Sequence, residues 1–380
     1  MPGPPPAVAV TRLAVRRALA TRRTADGRRP LLLTAVSGGA DSLALAAAMA
    51  FEGPRASYEV GAVVVDHGLQ PESDRAARRA AQQCRELGLA PVEVVRIDVP
   101  TGTGEGPEAQ ARSARYEALE AARVRTGATS VVLAHTRDDQ AEQVLLGLVR
   151  GSGTRSLSGM PRRTATLLRP FLDVTAAETR QACLDQGLQV WDDPHNADER
   201  YLRVRVRRVL DEVEARIGPG VRAGLARSSD LLRADGEALD DLAATAYAAL
   251  AADAPATAPD PDPACQTTES LESERLARAS DSSDSVVSAV SATGTDVLVD
   301  TGALDTDALA DLPTGVRTRV IRLHLLAAGA DPAALSSAQI GWVDDLVMRW
   351  KGQKAVDVPG GLRAERVDGR IVVRPAGPVQ

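Results

Sequence analysis

Four short apolar runs rich in β-branched residues, Leu31–Val36, Glu59–Val65, Pro91–Ile97 and Ser130–Ala134, alternate with stretches of helical spacing. Those stretches are Ser42–Phe51, Ser73–Leu87, Glu108–Arg125 and Asp139–Val149. Strands that are apolar nearly throughout must be covered on both faces, and strands separated by helices pair in parallel. The alternation predicts an α/β domain with a parallel sheet. Ligands of such sheets bind beyond the carboxyl ends of the strands. The chemistry is therefore expected just after Val36, Val65, Ile97 and Ala134, where the unusual residues of this chain fall.

At 380 residues the chain exceeds one ordinary core, so two or more domains are expected. Residues 1–28 read as an N-terminal arm or helix, 29–215 as the sheet domain and 216–250 as a helical connector. Residues 251–296 are Ala, Pro, Asp, Ser and Thr with hardly any large apolar side chain. That composition cannot offset ordering entropy, and it reads as an acidic linker or insertion. Pattern returns over 297–380, with helices near Val316–Ala328 and Ser337–Trp350 and a hairpin turning at Asp368-Gly369. This is a small α+β domain.

The net charge of −6 hides an uneven distribution. Residues 251–312 carry 13 Asp/Glu against two Arg, a net of −11 that leaves the remainder at +5. The patterned domains are thus mildly basic, and the average charge does not argue against a nucleic-acid partner. Only two Phe, three Trp and four Tyr are present, which excludes single-strand binding by rows of stacked rings. Cys84, Cys183 and Cys265 form no C-x-x-C pair and no disulfide framework, which fits a reduced compartment. Met1–Val10 lacks a signal pattern and no apolar window reaches membrane-spanning length, so a soluble, cytoplasmic protein with no membrane partner is expected.

Ser37-Gly38-Gly39-Ala40-Asp41-Ser42 follows the first strand and opens a helix. Such a loop offers an anion the unpaired N–H groups and positive end of the helix, to which the Ser37 and Ser42 hydroxyls can add. A tight turn with a serine cap would look similar. A Walker-type loop needs Lys just before the Ser/Thr, but Asp41 stands there, and the chain's two lysines are Lys351 and Lys354. Walker-type ATPases are excluded, and the acid suggests that Mg²⁺ lies between loop and phosphates.

Further along, Asp66-His67 ends the second strand. Glu108, Arg112 and Arg115 share one helix face, and His135 follows the fourth strand just before Asp138, Asp139 and Glu142. The arginines could neutralise phosphate or form only a surface ion pair. From Glu199 the helix carries Arg200, Arg203, Arg205, Arg207 and Arg208, while Leu202, Val206, Val209 and Val213 make the stripe expected to face the core.

Taken together, these strings resemble the tRNA(Ile)-lysidine synthase family of the pyrophosphate-loop (PP-loop) superfamily. The family carries S-G-G-x-D-S, D-H-G, E-x-x-A-R-x-x-R-Y, A-H-x-x-x-D-Q and R-G-S-G followed by G-M. R-P-[FL]-L and D-x-x-N before an arginine-rich helix complete the set. They match here in order from residue 31 to 210, and residues 312–374 resemble the family's small tRNA-binding domain more loosely. The chain departs from the pattern at Thr136, Gln70 and Val204, where the family usually has His, Arg and Asn.

The resemblance implies a Rossmann-like (adenine nucleotide alpha hydrolase-like) fold for the first domain and tRNA binding for the last. It implies ATP and Mg²⁺ as cofactors, tRNA(Ile) with a CAU anticodon and free L-lysine as partners, and leaves a homodimer open. It places Asp41, Arg115, His135 and Asp139 in the catalytic centre and gives Asp41 to the metal. Ser37, Gly38, Gly39, Ala40, Asp41, Ser42, Asp66 and His67 would hold the nucleotide. Glu108, Arg112, Asp138, Glu142, Asn196, Arg203, Arg205 and Arg207 would meet substrate or tRNA. The reaction it implies joins lysine to position 2 of the wobble cytidine through an adenylated intermediate. Three alternatives compete: a PP-loop tRNA thiolation enzyme, a small-molecule amidating synthetase and a catalytically inactive tRNA-binding homologue.

Overall fold

The computed structural model describes residues 3–20, 29–66, 68, 72–97, 107–151, 153–193, 198–252 and 302–376. The chain divides into two compact units at Gly236. In chain order the first contains α1 (Pro6–Ala20), β1 (Leu31–Val36), α2 (Ala40–Glu52), β2 (Glu59–Asp66), α3 (Ser73–Glu86), β3 (Val92–Arg96) and α4 (Pro107–Thr126). It continues with β4 (Ser130–Val132), α5 (Arg137–Val149), α6 (Thr154–Leu157), β5 (Leu167–Leu168), α7 (Ala176–Asp185), α8 (Leu202–Ile217) and the start of α9 (Val221–Ala252).

The five strands form one parallel sheet in the order β3-β2-β1-β4-β5. Alternation along each strand feeds two cores. Leu32, Val36, Val60, Ala62 and Val64 pack with Leu43, Leu45 and Met49 of α2 and with α1, α3 and α7. Leu33, Ala35, Val63 and Val131 pack with Leu119 and Ala122 of α4. Burying each large side chain contributes about 2 kcal/mol. The sheet's order reverses between β1 and β4, so the crevice outside their carboxyl ends is where the fold binds ligands.

The helical pattern after residue 199 is not one helix. Gly218-Pro219-Gly220 ends α8, since proline supplies no N–H and the glycines adopt φ of 121° and 101°. The α8 stripe also differs from expectation. Val204, Val206 and Leu210 are buried, whereas Leu202 and Val209 are exposed, so the inward face is rotated from the predicted one. The acidic segment lies outside the described residues from residue 253 onward.

The second unit packs the end of α9, α10 (Thr306–Ala310), α11 (Thr314–Ala327) and α12 (Ser337–Met348) with an antiparallel sheet. Its strands are β6 (Leu304–Asp305), β7 (Val356–Val358), β8 (Leu362–Val367) and β9 (Arg370–Pro375), in the order β6-β9-β8-β7. The β8–β9 hairpin turns at Asp368-Gly369, both at positive φ (48° and 73°), as a two-residue hairpin with this twist requires. His324 sits in this core at 1% exposure, neither ring nitrogen has a hydrogen-bond partner, and burial pulls its pKa down to about 4. The unfolded chain binds a proton near pH 6.5 and the folded unit does not, so stability is lost as pH falls from about 6.5 towards 4, by about 3 kcal/mol. Replacing His324 by Leu is expected to abolish that loss in acid melts followed by circular dichroism.

Candidate active site

The loop after β1 is shaped by its own side chains. The Ser42 hydroxyl donates to the Gly39 carbonyl (2.9 Å) and accepts from the Ser37 N–H (3.1 Å), so these serines brace the turn. Gly38 has φ +88°, a conformation costly for any residue with a Cβ, and its carbonyl accepts from Trp191 N–H (2.9 Å). Helix α2 begins at Ala40, two residues earlier than predicted, with Gly39 as an N-cap that supplies no side chain. Its first turn is therefore uncapped, the arrangement that receives phosphate oxygens.

Asp41 lies in that first turn. Its Oδ1 accepts from the buried Thr179 hydroxyl of α7, and the Cys183 thiol of α7 donates to the Ala40 carbonyl (3.2 Å). Helix α7 thus supports the loop from below, a role the sequence analysis missed; the cue was the Thr175/Glu178 capping box at its start. Burial raises the Asp41 pKa to about 6; the Thr179 bond opposes that rise, the charges of Asp139 and Asp138 add to it, and Arg207 works against them.

Asp139 is held by the N-cap of its own helix. Its Oδ2 accepts from the Thr136 N–H (2.8 Å) and hydroxyl (3.0 Å) in a capping box that starts α5, which leaves Oδ1 as the other acceptor. Thr136, a departure from the family pattern, is thus the residue that orients this carboxylate. Thr136→Val should cost about 1 kcal/mol of stability and, by releasing Asp139, lower turnover by about tenfold; thermal melts and turnover measured on the same preparation separate the two effects.

The other carboxylates have different surroundings. Asp138 accepts from the Ala176 N–H (2.9 Å) and pairs with Arg222, which also binds Asp211 and Glu214. It ties α5, α7 and α9 together. Glu142, at 2% exposure, accepts from Arg207 Nε (2.7 Å), while its Oε2 is buried without a partner; burial raises its pKa despite Arg207. Asp66 is buried, with Oδ1 accepting from the Gly68 N–H (3.0 Å). Gln140 clamps Met160, accepting from its N–H (2.8 Å) and donating to its carbonyl (3.3 Å). Gly159, at φ +61°, allows this close approach, since a Cβ there would lie 2.7 Å from the Gln140 amide.

On the α4 side of the sheet a cavity of about 190 Å³ is lined by Ala111, Arg112, Arg115, Tyr116, Leu133, His135 and Arg203. Arg112 lies over the Tyr116 ring, 5.1 Å from its centroid. Burial, with Arg112 and Arg203 nearby, lowers the pKa of half-buried Arg115, and Tyr116 and Asp139 oppose that shift. His135 Nδ1 accepts from Arg169 Nε (3.2 Å), and burial together with four arginines holds the imidazole well below its ordinary pKa. Arg205 is exposed on α8. His67, Asn196 and the side chain of Glu108 lie outside the described residues.

The structure therefore brings the loop, Asp41, Asp139, Glu142 and Arg207 together, with Arg115, His135 and Arg203 at the adjoining cavity. Among the described residues no three His, Cys, Asp or Glu converge as a metal cluster. Magnesium does not need one, because it takes one or two carboxylates plus phosphate and water oxygens. Asp41, with its charge disfavoured by burial and by Asp139, is a donor set that a divalent cation would relieve. Cys84 and Cys183 are buried and their thiols are pushed up to about 12, so neither is a thiolate near neutral pH. No helix among the described residues is long and apolar enough to cross a membrane.

The family described as PP-loop domain matches residues 14–213, and that described as TilS substrate binding domain matches residues 304–372. A tRNA(Ile)-lysidine synthase of Streptomyces coelicolor is 43% identical, the match covering 98% of this chain and 99% of that protein. One of Thermobifida fusca is 44% identical with the same coverage, 98% and 99%. Among solved structures, the U34-tRNA thiolase NcsA from Methanococcus maripaludis with its [4Fe-4S] cluster aligns with a TM-score of 0.50 at 18% identity. That alignment covers 60% of this chain and 80% of the thiolase and speaks to the fold alone. The chain belongs to the tRNA(Ile)-lysidine synthase family, ligases that form a carbon–nitrogen bond on a PP-loop ATP-binding domain.

Proposed function

We propose that the protein uses ATP to adenylate the wobble cytidine of CAU-anticodon tRNA(Ile) and then joins L-lysine to position 2 of that base. The observation that carries this reading is the convergence at the ends of β1 and β4. An uncapped phosphate loop, two held carboxylates and an arginine-lined cavity lie at adjoining strand ends. The base oxygen at position 2 attacks the α-phosphate and pyrophosphate leaves, its charge met by the α2 amides and by Arg115. The lysine amine then attacks C2 and AMP departs. Asp139 Oδ1 is suited to take the amine proton, and the buried, unpartnered Glu142 Oε2 is suited to an ammonium group. Asp41 would hold Mg²⁺, which when bound neutralises phosphate charge.

Burial of both described cysteines favours this reading over thiolation, and retention of Asp41 and Asp139 favours it over an inactive homologue. The test is pyrophosphate release from ATP with lysine omitted. Release that requires tRNA(Ile) and stops after about one turnover is expected of an adenylated tRNA intermediate; release independent of tRNA would contradict that order of steps.

A further inference from the structure

Arg169, from the Arg169-Pro170-Phe171-Leu172 segment, is 6% exposed and makes two directed bonds. Its Nη1 donates to the Pro161 carbonyl (2.9 Å) and its Nε donates to His135 Nδ1 (3.2 Å). A guanidinium has donors and no acceptor, so the Nδ1 it faces must present a lone pair. The ring's proton is then on Nε2, the polar atom left to the cavity that His135 lines with Arg112, Arg115 and Arg203. The charged groups acting on the ring are Arg169 from the segment after β5, Arg115 and Arg112 from α4, and Arg203 from α8. All are cations, and each opposes a second proton on the imidazole.

We propose that Arg169 is a positioning residue that fixes His135 as a neutral hydrogen-bond donor through Nε2, aimed at an acceptor oxygen of the bound substrate, and unable to serve as a proton acceptor. The Arg169–Pro161 bond adds to this, because it anchors the guanidinium to the backbone beside the Gln140–Met160 clamp. The tautomer follows from the hydrogen bond alone. The donor role towards substrate rests on the ligase reading above.

The chain has four histidines, so long-range proton–nitrogen spectra of ¹⁵N-histidine-labelled full-length protein contain four imidazoles, and His135→Asn assigns the one of interest. The expected wild-type signal is a neutral ring protonated at Nε2 that does not titrate between pH 5.5 and 8. Arg169→Met should give mixed tautomers or a ring titrating in the ordinary range, and Arg169→Lys should restore the wild-type pattern in part. Turnover in Arg169→Met should fall about tenfold or more, the scale of misorienting one hydrogen-bonding side chain. His135→Asn, which retains an N–H donor but no base, should keep more activity than His135→Ala. A wild-type His135 ring protonated at Nδ1, or one titrating near pH 6.5, would overturn the proposal whatever the Arg169 variants do. Failure of lysine ligation with the Nε2 tautomer intact would instead count against the ligase reading.

Discussion

Asp41→Asn is expected to lower tRNA-dependent pyrophosphate release by about a thousandfold while leaving the ligand-free protein as stable as wild type or more so. The two halves have one cause. Asp41 is half-buried beside Asp139 and Asp138, and its charge is disfavoured by all three circumstances. An amide of the same shape relieves the repulsion and can still accept from Thr179. What it cannot do is offer a full negative charge to Mg²⁺ between loop and phosphates, and loss of such charge stabilisation removes several kcal/mol from the transition state. A melting temperature that rose while activity vanished would mark the acid as functional. A variant that stayed active would remove Asp41 from metal binding.

The second large effect concerns the Glu142–Arg207 pair, whose side-chain exposures are asymmetric: 3% for the glutamate and 44% for the arginine. Arg207→Ala strands a buried carboxylate and should cost about 3 kcal/mol at neutral pH. Glu142→Ala leaves an arginine that can turn to water, and its stability cost should be nearer 1 kcal/mol. The Arg207→Ala deficit should shrink as pH falls and Glu142 takes up a proton, since burial already raises that pKa. Glu142→Gln in the Arg207→Ala background should recover most of the stability but not the activity. Denaturant unfolding of the four proteins at pH 5 and pH 8 measures both the coupling and its sign. Equal costs for the two single variants would show that exposure does not govern this pair.

The sheet was legible because its strands are apolar on both faces, a pattern that parallel pairing with helical cover imposes. The phosphate loop was legible from six consecutive residues. The acids after β4 were harder to read. Asp138, Asp139 and Glu142 look alike in sequence, yet one pins α7 and Arg222, one is set by Thr136, and one is buried against Arg207. Those differences depend on which side chains arrive from distant elements, and local spacing does not encode that. Gln140 and Gly159 carry the same lesson: these two motif residues form a packing clamp that local spacing does not show. Thr136 read as a loss relative to the family pattern, whereas T-x-x-D before a helix is a capping signal available in the sequence itself. The face of α8 was misassigned because a helix bearing five arginines has more than one stripe of aliphatic residues, and packing alone chooses among them.

Incubating the full-length protein with ATP, Mg²⁺, labelled L-lysine and tRNA(Ile) bearing a CAU anticodon, then digesting the tRNA and analysing the wobble nucleoside, tests the central claim most directly. The account predicts label on that one cytidine, dependent on ATP and abolished by Asp139→Asn. Folded protein that adenylates the tRNA or binds it, yet leaves the wobble cytidine free of lysine, would contradict it.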